Sequence, residues 1–179
     1  MLYNILTKGG AMKNLILVKL DSKYCDYLRK FDDKVPYNYY KKKSRPFVGV
    51  LFEVDKCKYF APLSSPKPKH QTMKNSLDFL KIANGTLGAI NFNNMLPVKN
   101  KNIVKIDLNK ECLTVEEEKY IVMLKDQIFW LNRNIDRLYS KSKKLYDKYN
   151  SKTLNEHISK RCCNFKLLEE KCIEYNKNN

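Results

Sequence analysis

Ten consecutive residues carry the densest chemistry in this chain: Ala61-Pro62-Leu63-Ser64-Ser65-Pro66-Lys67-Pro68-Lys69-His70. Two hydroxyls, two lysines, a histidine and three prolines stand together there. Proline fixes φ and removes a backbone donor, so the segment is pre-shaped rather than floppy. It follows Tyr59-Phe60, the aromatic end of an expected strand. A strand end that breaks into a rigid, cationic, hydroxyl-bearing loop suits a phosphodiester, and functional groups are often mounted on loops held by a scaffold.

Cleaving RNA without a metal makes three demands. The 2′-OH must lose its proton, the charge on the phosphorane must be stabilised, and the 5′-oxygen must leave. The groups on offer are Ser64, Ser65, Lys67, Lys69, His70, Arg45 and nearby tyrosines. Each has a plainer use. His70 titrates ordinarily near 6.5 and suits general acid–base work, yet a surface histidine also serves as a simple phosphate contact. Ser64 and Ser65 beside proline could merely close a turn. An unassisted serine is a poor base and needs a lysine or the substrate phosphate to help. No carboxylate cluster for Mg²⁺ lies near the loop. Six cysteines without a C-x-x-C pair, and only two histidines, argue against zinc. With no export signal, those cysteines are expected as reduced thiols in the cytoplasm.

Charge narrows the partner. The chain carries 35 Lys and Arg against 19 Asp and Glu, a formal net charge of +16 over 179 residues. Such a field attracts polyanions. Residues 34–74 hold ten of the cations and two acids, interleaved with Tyr37, Tyr39, Tyr40, Phe47, Tyr59 and Phe60. Lysine and arginine hold phosphates while exposed rings stack on bases, the pattern of single-stranded RNA binding. The strand aromatics read equally well as core; three tyrosines in loop 37–45, beside Lys41 and Lys43, read less well so. No apolar run approaches the ~20 residues of a spanning helix, so no membrane is expected. Met1 to Ala11 lacks the apolar stretch of a signal peptide and is read as expression-vector residue, with 12–179 as one domain.

The remaining sequence must position these groups. Residues 14–20 are a β-branched strand, followed by N-cap oxygens at Asp21 and Ser22 and a helix through Tyr24, Tyr27, Leu28 and Phe31. Residues 46–55 and 58–63 form a hairpin about Asp55-Lys56-Cys57. Residues 76–82 are a strand or a short helix. Asn84-Gly85 is a turn, and 86–92 and 102–108 are strands joined through Met95-Leu96-Pro97-Val98. From 114 to 149 there is no Gly or Pro; with a capping box at Thr114 and Glu117 this predicts one long helix, bent or straight. Its apolar stripe could be covered internally or by a second copy. A last helix spans 165–175, and 176–179 is expected to be disordered. The fold class is α+β: a twisted antiparallel sheet, or partly open barrel, flanked by helices. From the residues alone, RNA cleavage, RNA binding without cleavage and a basic module for another partner all stay open.

Five segments then resemble the ToxN/AbiQ family of type III toxin–antitoxin endoribonucleases. They are Phe31-Asp32-Asp33-Lys34-Val35-Pro36, Arg45-Pro46-Phe47-Val48-Gly49-Val50, Tyr59 through Lys67, Leu87-Gly88-Ala89-Ile90-Asn91, and Cys163-Asn164-Phe165-Lys166-Leu167-Leu168-Glu169-Glu170-Lys171. The resemblance implies a sheet like that of the MazF/Kid toxins. It implies metal-independent cleavage to 2′,3′-cyclic phosphate and 5′-OH ends, no cofactor, and action in phage abortive infection. Its implied partners are target RNA and a repeated, pseudoknotted RNA antitoxin, with a homo-oligomer or toxin–RNA assembly as the particle. It puts the catalytic serine at Ser65, with Ser64, Lys67 and Arg45 beside it. Arginine where the family has lysine keeps the charge but not easy proton exchange. One of Tyr37, Tyr39 and Tyr40 orients a nucleotide, His70 braces the phosphate, and Lys41, Lys43, Lys69 and Lys166 hold RNA.

Overall fold

The protein is described by a computed structural model covering residues 14–37, 39–40 and 43–178; the side chains of 39, 40, 43, 44 and 178 lie outside the description. The 1–11 segment, Lys41, and the side chains of Tyr39, Tyr40 and Lys43 therefore fall outside it.

Strand β1 (Ile16–Leu20) turns Leu17, Val18 and Leu20 inward. Asp21 then caps α1 (Ser22–Arg29), its carboxylate accepting from the Tyr24 amide at 2.7 Å. Helix α1 buries Tyr24, Cys25 and Leu28 on one face. A small separate ladder follows, β2 (Tyr39–Tyr40) against β3 (Lys43–Ser44). Next come β4 (Phe47–Gly49), β5 (Glu53–Val54) and β6 (Cys57–Ser64). Asp55 and Lys56 both take positive φ, 48° and 63°, the backbone that a tight two-residue hairpin demands. The 46–55 run is thus two strands, and β6 meets both.

The rest is α2 (Pro68–Thr72), β7 (Phe79–Lys81), β8 (Ala89–Asn91), β9 (Leu96–Val98), β10 (Ile103–Lys105), α3 (Val115–Arg133), α4 (Ile135–Asn150), α5 (Glu156–Ser159) and α6 (Phe165–Asn178). The main sheet has eight strands in the order β10-β1-β4-β6-β8-β7, with β5 and β9 also on β6. Every pairing is antiparallel, and the sheet stays open between β10 and β7 rather than closing into a barrel. Strand β6 is its hub. Cys57 to Phe60 pair with β5 and β9; Ala61 to Ser64 pair with β4 and β8. The 95–98 segment, read as a connection, is strand β9: Pro97 is tolerated because β9 pairs with β6 alone.

The long helix of 114–149 is two helices. Asn134 leaves the helical region (φ −118°, ψ 21°), ends α3, and offers its carbonyl to the Leu138 amide as α4 begins. Thr114 caps α3 through the Glu117 amide at 3.1 Å, and the Glu117 carboxylate reaches back to the Leu113 amide at 3.0 Å. Helix α6 runs through Asn176 and Lys177, read from sequence as a disordered tail; the Asn176 side-chain Nδ2 donates to the Cys172 carbonyl at 2.7 Å.

The core is aromatic. Tyr24, Phe47, Tyr59, Phe60, Phe92, Tyr146 and Phe165 are all fully buried. Two of their phenols converge on one acid: Tyr59 and Tyr146 donate to Glu169 Oε1 at 2.7 and 2.6 Å, while Lys166 holds Oε2 at 2.9 Å. Burial, reinforced by the Glu169 charge, pushes the Tyr59 phenol well above its ordinary pKa, so it stays a donor. All six cysteines are free thiols, with Cys57 and Cys172 Sγ 3.6 Å apart.

Candidate active site

The hydroxyl-bearing bend begins where the central strand ends. Ser64 is the last residue of β6 and half-buried; Ser65 follows it, exposed. Three neighbours shape this exit. On one side, the Leu63 amide donates to the Pro46 carbonyl at 2.9 Å, extending the β4–β6 ladder. Continuing that register places Arg45 opposite Ser64. On the other side, Ala89 of β8 pairs with Ser64, and Asn91 Nδ2 donates to Ser64 Oγ at 2.9 Å. Beneath lies Gly88 (φ +97°), where a Cβ would stand 2.0 Å from the Ser64 carbonyl oxygen and about 3.1 Å from Ser65 C. Only a residue without a side chain lets the backbone of the bend pass so close.

Beyond Ser65 the chain runs straight into α2. Pro68 takes the first helical position, where a missing N–H costs nothing, and the Lys67 carbonyl accepts from the His70 amide at 2.8 Å. Lys67 and Lys69 are exposed. Pro66, Lys67, Pro68, Gln71, Gly85 and Thr86 line an open recess of about 410 Å³ at the start of α2.

His70 is not where the sequence suggested. It lies inside, 3% exposed, with its ring 6.0 Å from Phe79. Burial, with repulsion from Lys67 and Lys69, lowers its pKa from the ordinary imidazole value and so favours the neutral ring. A short helix in place of the expected loop is the reason: α2 turns its third residue inward. So placed, the ring offers almost no surface to a phosphate, unlike the surface histidine the sequence suggested.

Arg45 is half-buried, and its Nε donates to the Tyr37 carbonyl at 3.2 Å. Burial lowers its pKa, though guanidinium remains charged at any working pH. Tyr37 is 69% exposed, with the Arg29 guanidinium 4.1 Å above its ring. Among the three tyrosines it is the one whose described contacts tie it to Arg45. The backbones of Tyr39 and Tyr40 stand opposite Ser44 and Lys43.

Lys166 is held apart from the bend. It pairs with Glu169, beneath Tyr59. Tyr59 is six residues back from Ser65, roughly 20 Å of strand. Lys166 lines a second recess of about 410 Å³ with Tyr149, Asn150, Lys152, Asn164 and others. The contacts that sequence reasoning missed are Asn91 and Gly88. Both lie in a segment that carried the family resemblance, but the β6–β8 pairing that brings them to the bend leaves no local mark in the sequence.

Among the described residues, no group of three or more His, Cys, Asp and Glu is arranged to hold a metal, and no helix is long and apolar enough to cross a membrane.

The profile of the family described as toxin ToxN of type III toxin–antitoxin systems matches residues 16–173. The chain belongs to the ToxN family. It is 34% identical over 160 residues to the endoribonuclease ToxN of Bacillus thuringiensis subsp. kurstaki, covering 87% of this chain and 81% of that one. It is 35% identical over 166 residues to the endoribonuclease ToxN of Pectobacterium atrosepticum (88% and 92% covered). The endoribonuclease AbiQ of Lactococcus lactis subsp. lactis shares 30% over 164 residues (86% and 85%). Among solved structures, a type III toxin inhibited by a non-coding RNA pseudoknot superposes with a TM-score of 0.78 at 32% identity, covering 92% of this chain and 99% of that one. The anti-phage endoribonuclease AbiQ superposes with a TM-score of 0.76 at 28% identity, covering 92% and 99%. ToxN family membership thus spans the sheet, the bend and the start of α6 alike.

Proposed function

We propose that this chain is the endoribonuclease toxin of a type III toxin–antitoxin system, cutting single-stranded RNA without a metal to leave 2′,3′-cyclic phosphate and 5′-OH ends. It acts in the cytoplasm, is held inactive by a repeated, pseudoknotted RNA, and stops phage spread by abortive infection. The observation that carries the reading is the exposed Ser65 on a proline-braced bend, with exposed Lys67 two residues on and Arg45 just ahead of the β4 segment that pairs with β6. Identity of 30–35% to proteins named endoribonucleases supports it. The open antiparallel sheet with flanking helices supports kinship with the MazF/Kid toxins, which superposition of the β1–β4–β6 core on such a toxin tests.

Each group has a role. Ser65 contacts the reacting 2′-OH or the scissile phosphate. Arg45 and Lys67 offset the charge that grows on the phosphorane, Arg45 as a fixed cation partly shielded from water. Tyr37, already held by Arg45 and Arg29, orients a nucleotide at the entrance. Lys69 holds flanking phosphate. Lys166 would meet RNA only along a separate stretch of its path.

The test is direct. The chain is incubated with cellular RNA in EDTA and the ends are mapped. Discrete cuts with cyclic-phosphate ends are expected, with Ser65→Ala lowering cleavage by at least about a hundredfold. Cuts that vanish in EDTA would refute metal independence. A second reading, an RNA-binding protein without cleavage, draws on the burial of His70, which removes the one group that ordinarily titrates near neutrality from the bend. RNA retained intact would favour it.

A further inference from the structure

Asn91 ends β8 as Ser64 ends β6. Ala89 stands directly opposite Ser64, so Asn91 is the diagonal neighbour two residues along, on the same sheet face. The 2.9 Å contact has a definite polarity: an amide nitrogen donates and never accepts, so the Ser64 oxygen is the acceptor. A serine hydroxyl has one proton. With a lone pair taken up by Asn91, that proton is turned away from β8. The half-buried Ser64 is otherwise braced by Gly88 under its carbonyl and by the β4 ladder, whose register puts Arg45 across from it.

We propose that Asn91 is a positioning residue of the RNA-cleaving site, fixing the Ser64 hydroxyl as a hydrogen-bond donor aimed at the scissile phosphate. The inference rests on the function proposed above. It assigns Ser64 an electrostatic part: its proton stays on its oxygen and strengthens its bond to a phosphate oxygen as negative charge develops. It also separates the two adjacent hydroxyls, one held in a fixed orientation and one, Ser65, open to the substrate.

A full-length chain cutting a labelled RNA oligonucleotide at one mapped site provides the test. Asn91→Ala should lower kcat by about tenfold while KM stays within about twofold. Asn91→Asp keeps the shape but accepts instead of donating. It should draw the Ser64 proton inward and lower kcat by about a hundredfold. In a Ser64→Ala background, Asn91→Ala should change kcat by no more than about twofold, because the interaction it supports is already gone. A merely structural Asn91 would lower activity equally with and without Ser64. That result, an unchanged kcat in Asn91→Ala, or an Asn91→Asp enzyme as active as Asn91→Ala, overturns the proposal. Should Asn91→Ala not fold, the isosteric Asp variant and its melting temperature decide alone. A wild-type chain that cuts no RNA refutes the function and this inference with it, whereas normal wild-type cleavage with any of the contrary variant results refutes Asn91 only.

Discussion

At the scale of single residues, the bend leaves no spare room at Gly88. A methyl there would stand 2.0 Å from the Ser64 oxygen, and the backbone φ of +97° is itself strained for any L side chain. Gly88→Ala is therefore expected to cost about 1–3 kcal/mol of stability. It should also displace the bend enough to lower RNA cleavage by about a hundredfold. Thermal melts alongside cleavage assays check both; wild-type cleavage in a folded Gly88→Ala chain would sink the idea that this close approach sets the serines. The chemistry of the bend was legible because residue types and spacing are properties of the sequence itself. Ser64, Ser65, Lys67 and Arg45 could all be named as candidates that way, and extending the β4–β6 register by two residues puts Arg45 level with Ser64. His70 was misjudged because its burial depends on what packs against a five-residue helix, here Phe79 and the turn at Gly85. Asn91 lies 27 positions from Ser64, and only strand pairing joins them.

At the scale of elements, strand identity was easier to read than strand pairing. The aromatic and β-branched runs gave β1, β4 and β6, but nothing local states that one strand takes neighbours along both edges and both halves. The break between α3 and α4 was hidden for a different reason. Asparagine is tolerated in the bridge region of backbone space, so a helix can end there without Gly or Pro to announce it. The helices are anchored to β6 through the buried acid of α6. Tyr59→Phe removes one of the two phenols on Glu169 Oε1 and leaves the carboxylate less well satisfied. Because Tyr59 is fully buried, a loss of about 1–3 kcal/mol is expected, read as a lower urea midpoint with an unchanged m-value. An unchanged midpoint would mean that Tyr146 and Lys166 suffice for the acid.

At the scale of the molecule, half of the net charge of +16 falls within 34–74, the segment that contains Arg45, the bend and α2. Binding of unpaired RNA should therefore weaken steeply with salt, at about −0.7 in log K per log salt for each phosphate neutralised. Lys67→Gln and Lys69→Gln should each flatten that slope by about 0.7. Fluorescence anisotropy on a labelled oligonucleotide measures this, and slopes identical to wild type would place the strand elsewhere. The apolar stripe that left self-association open is largely covered within the chain, with Leu124, Leu131, Leu138 and Leu145 all fully buried. Exposed apolar side chains on α3 are a different set: Val115, Val122 and Phe129.

The hub position of β6 bears on the order in which a ribosome delivers this chain. The bend emerges early, yet its braces, Gly88 and Asn91, come more than twenty residues later. The strand that closes the far side of β1, at 103–105, comes later still. Domains assemble as their partners leave the ribosome. A half-made polypeptide therefore carries the Ser64–Ser65 bend without the β8 contacts that brace it, and the bend takes its folded geometry only once β8 has paired with β6.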